Sequence, residues 1–540
     1  MQESPKSGSE QPVRIITARH IRSMDGVQPQ ALACRGELVA ARGGVDEMRR
    51  QFPSAPVHDF GRAAVVPGFN DTHQHPTIRA EQSLHLDLSP ERVRSAADVR
   101  EALRRRAAEV PRGGWVIGHR YDDYRSNGGA ELTRAELDEA CPDHPALVVH
   151  VTLHAGVVNT RALELGGITE QSAPPPGGDF GRDAAGRLTG VLHDQALYDL
   201  AFPTFTRRPT VVPQPSLQDR VEAFSAFARQ LHAAGITSVG DALVGPGDWD
   251  VLRQLERGGD LTLRVNALVA YEHFDHFRSS GGAAGPLDRL RIGGVKAFAD
   301  GAVNGGTCLV DEPIEGTDSH GLARVSPAEM RGIVRDVHES GWRIGVHANG
   351  DRAIRRVLDA VQEVQGSGPP RGHRIEHCTI VDDEIVARMR RQGMTAVPFA
   401  NYVAAHGDKL RRWYGSSREE RMFAHRALLD AGVAVAGSSD FPCGPYEPLL
   451  AMQSCVTRRA PDGELFGPSQ RITAAEALAL YTTGSARASG EGEAKGVLAP
   501  GYLADFAVLD DDPLATDPEL LSRIPVLETW VGGERVWSAG

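Results

Sequence analysis

The spacing of apolar residues divides the chain into three zones. From about Val13 to Val66 the pattern is one of short strands. Val13-Arg14-Ile15-Ile16, Ala31-Leu32-Ala33-Cys34 and Glu37-Leu38-Val39-Ala40 are separated by glycine or polar turns. The far end has the same character: Leu503–Leu509 is almost wholly apolar, and Glu528–Val536 reads as a hairpin about Gly532-Gly533. Neither end holds enough residues for a sandwich of its own. They are expected to pair into one small composite β domain, residues 13–66 plus 492–540, with a disordered polar tail at 1–12.

The middle alternates helix and strand. A helix over Leu217–Ala234 leads to Ile236–Val239, a second near Trp249–Glu256 to Leu263–Leu268, and Ile292–Lys296 follows. Ser326-Pro327-Ala328-Glu329 is a capping box with proline at the first helical position, and Met330, Ile333, Val334 and Val337 continue at helical spacing. Strands are predicted at Arg343–His347, Arg374–His377, Thr395–Phe399 and Val433–Gly437. With the strand before His73 this makes eight, most followed by helices. The expectation is an α/β fold, a (β/α)8 TIM-like barrel over 67–491, with functional side chains at the C-terminal strand ends. Residues 77–208 exceed one βα step. They contain a helical Ala96–Val110, a strand-like Ala146–His150 and a turn-rich Pro174–Gly178, and are expected to form an insertion over the barrel mouth.

Composition narrows the partners. A formal net charge of −12 argues against a nucleic-acid groove or an anionic membrane surface. The six cysteines are scattered without a Cys-x-x-Cys pair, which suits reduced thiols. The N-terminus lacks an apolar signal core and no apolar run reaches membrane-spanning length. Together these features predict a soluble cytoplasmic protein; the charge says little about a small-molecule substrate.

The chemistry is concentrated in Val66-Pro67-Gly68-Phe69-Asn70-Asp71-Thr72-His73-Gln74-His75-Pro76. Residues i and i+2 of a strand project to one side, so His73 and His75 can close on one metal ion. Lys296, His347, His377 and Asp440 fall at the ends of the fourth, fifth, sixth and eighth predicted barrel strands. Each has a structural alternative when taken alone. His347 or His377 could be a satisfied core histidine, Lys296 an ion-paired core lysine, and Asp440 a helix N-cap. Six metal-compatible side chains at corresponding ends of five strands favour a metal centre. In one arrangement His73, His75 and Asp440 hold one ion, His347 and His377 a second, and a carboxylated Lys296 bridges them. Two metals sharing a water supply hydroxide near neutral pH, with Asp440 as the proton carrier.

These segments resemble the amidohydrolase superfamily, and within it the YtcJ-like branch that includes N-substituted formamide deformylase. The similarity covers nearly the whole chain. It is carried by the His73/His75 string, Val295-Lys296-Ala297-Phe298-Ala299-Asp300-Gly301, Val346-His347-Ala348-Asn349-Gly350-Asp351-Arg352-Ala353, Arg374-Ile375-Glu376-His377, Gly437-Ser438-Ser439-Asp440-Phe441-Pro442 and Gly501–Asp510. The resemblance implies a metal-dependent hydrolase of non-peptide C–N bonds, such as an amide or N-substituted formamide. It further implies two zinc ions bridged by carboxylated Lys296, and a homodimer. A cyclic-amide hydrolase or deaminase on the same site is the alternative enzyme, and a non-catalytic scaffold the alternative of another class. His154, in an insertion segment similar to one that reaches the family's site, could bind a substrate carbonyl or fix a loop. Asp300 and Asp351 could orient ligand imidazoles or pair at the surface. After the lysine motif the family continues Gly-Ser-Leu-Gly-Ser-Arg-Thr. This chain has Gly301-Ala302-Val303-Asn304-Gly305-Gly306-Thr307, so its substrate contacts are expected to differ there.

Overall fold

The computed structural model describes residues 12–279 and 288–540. Apart from Pro12, the tail expected to be disordered lies outside the described residues. Eight strands form one sheet in sequence order: β1 (Phe69–Gln74), β2 (Ile236–Val244), β3 (Arg264–Ala270), β4 (Leu290–Phe298), β5 (Ile344–Ala348), β6 (Arg374–His377), β7 (Thr395–Pro398) and β8 (Ala434–Val435). Every neighbouring pair is parallel. Backbone bonds return the chain after β8 to β1: Thr72 N–H to Gly437 O at 3.2 Å, Asp440 N–H to His73 O at 2.9 Å and His75 N–H to Phe441 O at 2.9 Å. The result is an α/β fold of TIM-like type.

Local sequence accounts for the helices that cover this sheet. Helix α1 (Leu217–Ala233) begins at Ser216, whose side chain accepts the Asp219 N–H. Helix α2 (Pro327–Glu339) opens on the Ser326/Glu329 capping box and buries Met330, Val334 and Val337. Helix α3 (Asp351–Gln365) buries Ile354, Val357, Leu358 and Val361, an i, i+3, i+4, i+7 stripe. These stripes pack on outward-facing strand residues such as Val265, Val295, Ile344 and Ile375 in one continuous core. Each large apolar side chain buried there contributes roughly 1.5–3 kcal/mol. The inner faces of the strands are thereby free to carry polar groups.

Between β1 and β2 the chain builds a second sheet of six strands within residues 86–194. Apolar residues of this segment and the helix after it, including Val149, Leu153, Val158 and Leu197, pack with Leu243 and Ala270 at the C-terminal ends of β2 and β3. The two ends of the chain also meet. Ala64–Pro67 pairs antiparallel with Phe506–Leu509, and Ile16, Leu32, Val65, Phe506, Val508 and Trp530 share one core. The predicted hairpin is formed by Val526–Val531 and Glu534–Ser538. Gly532 and Gly533 both have positive φ, 60° and 71°, as a type I′ turn requires. Among the described residues no helix is long and apolar enough to cross a membrane.

Candidate metal centre

The fold brings the six predicted residues to the same end of the sheet. His73 lies in β1 and His75 immediately follows it, Lys296 lies in β4, His347 in β5, His377 ends β6, and Asp440 follows β8. Ring centroids are 5.3 Å apart for His73–His75, 4.6 Å for His73–His377 and 4.5 Å for His347–His377. Asp440 Oδ1 stands 3.3 Å from His73 Nε2 and 3.2 Å from His75 Nε2. One ligand atom each from His73, His377 and Asp440 lies within 4.8 Å of the others. No helix starts at Asp440; the next, Pro448–Thr457, is preceded by Glu447. The backbone at His377 and Asp440 is left-handed, with φ of 71° and 53°. Such angles are costly for residues with a Cβ and gather at functional sites.

Burial sets the protonation of the group. Desolvation pushes His75 down and holds His347 and His377 well below the ordinary histidine value. These rings are therefore neutral, the form that offers a lone pair to a metal. Burial opposes ionisation of Asp440, but the His377, His73 and His75 imidazoles outweigh it and hold the carboxyl well below its usual range. Lys296 is drawn down to about 8 by desolvation, against the carboxylates of Glu376 and Asp440, and its ammonium lies 4.9 Å from the Phe298 ring centre. His73 Nε2, His75 Nδ1 and His377 Nδ1 are buried with no hydrogen-bond partner among the described residues. Leaving such an atom unmet costs about 1–3 kcal/mol. His73 Nε2, unmet and 3.3 Å from the ionised Asp440 carboxylate, fits a divalent cation there.

The supporting groups are partly those predicted. Asp300 accepts the backbone N–H groups of Leu309, Asn349 and Gly350 at 2.9–3.0 Å, and its Oδ1 is 3.5 Å from His347 Nε2. His347 Nε2 is also 3.0 Å from Gly301 O; with the proton there, Nδ1 keeps the lone pair. Asp351 differs from expectation: it opens α3, accepts from the Asp311 and Arg352 N–H groups and pairs with Arg421 at 2.7 Å. None of these partners is an imidazole. His154 Nδ1 lies 2.7 Å from Asp194 Oδ1, and its ring centre is 5.6 Å from that of His347.

Two carboxylates escaped the sequence reading. Glu376 is fully buried, accepts Arg374 Nε at 2.7 Å and Nη2 at 2.8 Å, and meets His73 Nδ1 at 2.5 Å. It fixes which nitrogen of His73 carries the proton and leaves Nε2 for a ligand role. Asp194 orients the His154 ring from a left-handed backbone, φ 46°. The signal for Glu376 was its place in Arg374-Ile375-Glu376-His377; Asp194 stands in no motif.

A cavity of about 300 Å³ opens beside the centre, walled by Tyr121, Val148, Val157, Leu322 and Trp413. None of the six clustered residues lines it. It reaches them through His154, which does.

Comparison with known proteins agrees with this geometry. The model of the Amidohydrolase family matches residues 59–537. YtcJ of Bacillus subtilis (strain 168), provisionally named an amidohydrolase, is 31% identical over 527 residues, covering 95% of this chain and 97% of its own. N-substituted formamide deformylase of Arthrobacter pascens is 30% identical over 537 residues, covering 96% and 97%. Among solved structures, an uncharacterized metal-dependent hydrolase from Pyrococcus horikoshii OT3 superposes with a TM-score of 0.75 at 23% identity, over 94% of this chain and 99% of that one. That last likeness speaks to fold alone. Fold, clustered side chains and sequence coincide, and the chain belongs to the amidohydrolase family.

Proposed function

We propose that the protein is a metal-dependent hydrolase that cleaves a non-peptide C–N bond, in an amide or an N-substituted formamide. The observation that carries the reading is the buried cluster in which one ligand atom each of His73, His377 and Asp440 lies within 4.8 Å of the others. The similarity to N-substituted formamide deformylase supports the bond type. In this reading His73, His75 and Asp440 would hold one zinc ion and His347 and His377 a second, and Lys296, as a carbamate, would serve as a further ligand. A lysine drawn toward neutrality by burial supports that carbamate, since only the free amine adds carbon dioxide. Ions held there would supply Lewis acidity and lower the pKa of a water molecule.

The chain's own groups do the rest. Asp440 takes a proton from the attacking water as its oxygen bonds to the carbonyl carbon. It returns that proton to the nitrogen as the C–N bond breaks, giving a carboxylic acid and an amine. His154, oriented by Asp194 at 2.7 Å from its Nδ1, presents its other nitrogen to the substrate carbonyl oxygen and steadies the charge that develops there. The pairing of Ala64–Pro67 with Phe506–Leu509 supports a composite β domain of residues 13–66 and 492–540. Contacts of residues 149–197 with Leu243 and Ala270 support reading 77–208 as an insertion at the barrel mouth.

The test is product analysis with metal-loaded protein on N-substituted formamides, open amides, lactams and aminated heterocycles, with metal content quantified in parallel. Amine plus formate or another carboxylate is the expected outcome. Activity should vanish on chelation and return with added metal. Ammonia release from heterocycles alone would replace this reading with deamination.

A further inference from the structure

The loop after β4 departs from the family pattern, and its central residue is unusual. Asn304 is 3% exposed and lines the cavity beside the centre, yet neither its Oδ1 nor its Nδ2 has a hydrogen-bond partner among the described residues. Because both atoms are unmet, the conclusion does not depend on which way the amide is turned. The loop is braced, so Asn304 cannot readily swing to a partner elsewhere. Thr307 Oγ1 accepts the Ala302 N–H at 3.0 Å, the Gly306 N–H reaches Val303 O at 3.2 Å, and the Tyr414 hydroxyl donates to the same carbonyl at 2.9 Å. Gly306 has φ 62° and lies so close to Trp413 that a Cβ would come within 2.8 Å of the indole. Trp413 also lines the cavity, and its buried Nε1 has no partner among the described residues.

A polar residue held in this way against mostly apolar walls is a recognition group awaiting its complement. The complement must donate and accept side by side. A carboxylate, ester or ketone meets Nδ2 but leaves Oδ1 empty; an amine does the reverse. An amide-type edge, with N–H and C=O adjacent, satisfies both. This edge is not the scissile one if the proposed function holds, since that carbonyl is engaged by His154 and its nitrogen must receive the proton from Asp440. We infer that Asn304 pairs with a second amide-type group, a carboxamide, urea or lactam edge, carried on a compact apolar or aromatic body of the substrate. Resting as it does on the hydrolase reading, this narrows the substrate class from a plain N-substituted formamide to one bearing a further N–H/C=O edge.

The test begins with binding, which needs no turnover. Calorimetry with the full-length metal-loaded protein compares quinolin-2-one, an aromatic lactam inert to hydrolysis, with its N-methyl derivative, which accepts but cannot donate. The lactam should bind more tightly by roughly 5- to 150-fold, the cost of leaving a buried acceptor unpaired. That ratio should fall to about one in Asn304→Leu. Equal binding of the two by the wild type, or an unchanged ratio in the variant, overturns the inference. A second arm compares kcat/KM for N-benzylformamide bearing a para-carbamoyl or a para-acetyl group, with the carbamoyl form favoured by a similar factor. Hydrolysis without that preference overturns the inference and leaves the hydrolase reading intact. Selective lactam binding with no C–N hydrolysis does the opposite.

Discussion

Glu376→Gln replaces a carboxylate by an isosteric amide at a fully buried group of the site. All three of its hydrogen bonds, two to Arg374 and one to His73, come from donors. A glutamine must turn its NH2 toward one of them and leaves Arg374, 2% exposed, as a buried charge without its carboxylate. Removing one partner of a buried pair costs about 3–5 kcal/mol. Loss of the acceptor that fixes His73 should weaken metal affinity by about 10- to 100-fold. Denaturant unfolding of chelator-stripped protein isolates the first effect, and competition with a chromogenic chelator measures the second. In Arg374→Met/Glu376→Gln the stability should largely return, because no unpaired buried charge remains, while the affinity loss persists. Burial would raise the Glu376 carboxyl, but Arg374 and His73 outweigh it and depress the group far below its usual range. Its contribution is therefore complete above the unfolded-state value of about 4.3 and fades only in acid below it, so the stability gap should be flat near neutrality. A single variant within about 1 kcal/mol of wild type, with unaltered chelator competition, would refute this reasoning.

Three further outcomes are expected. Asp440→Asn should lower kcat by about 10²- to 10⁴-fold as the proton carrier is lost; a change confined to KM would remove Asp440 from that role. Asp194→Asn tolerates the left-handed backbone but exchanges a charged acceptor for a neutral one, and should cut kcat/KM by about tenfold or more with metal content unchanged. If kcat/KM holds, His154 does not act through Asp194. Asp505→Ala removes the carboxylate that meets Arg264 Nε at 2.7 Å and ties the C-terminal segment to β3. It should cost up to about 3–5 kcal/mol, less what Glu37 at 3.8 Å returns, read as a lower unfolding midpoint and faster proteolysis of that segment. An unaltered midpoint would show the tie to be dispensable.

Most barrel strands were legible because they are short apolar runs bounded by turn or capping signals, as Ser326 and Glu329 illustrate at α2, whereas Phe69–Gln74 and Arg374–His377 were placed by their motifs. The six clustered residues were legible because strand ends are where such folds collect chemistry. Glu376 was not, and alternation explains why. Along a regular strand Glu376 and His377 face opposite ways, so one excludes the other from the interior. The left-handed turn at His377 breaks that rule, and both side chains reach His73. The same twist moves Asp440 from a helix-capping pattern to the centre. Asp351 was misjudged for the converse reason. Its motif neighbours His347, but α3 begins at Asp351 and turns its carboxylate toward Arg421. Asn304 was passed over because a single amide in a glycine-rich loop carries no periodic signal.

The meeting of Ala64–Pro67 with Phe506–Leu509 has a consequence for how the molecule is made. Arg62 and Asp510, which pair beside it, are 448 positions apart. At a ribosome speed of about 5–20 residues per second, the earlier strand waits roughly 20 to 90 s for its mate. During that interval it presents an open β edge, the kind that attracts other nascent chains. Assembly of this unit thus comes late in synthesis, and the yield of active protein should depend on chaperone capacity and growth temperature as well as on the stability of the finished fold.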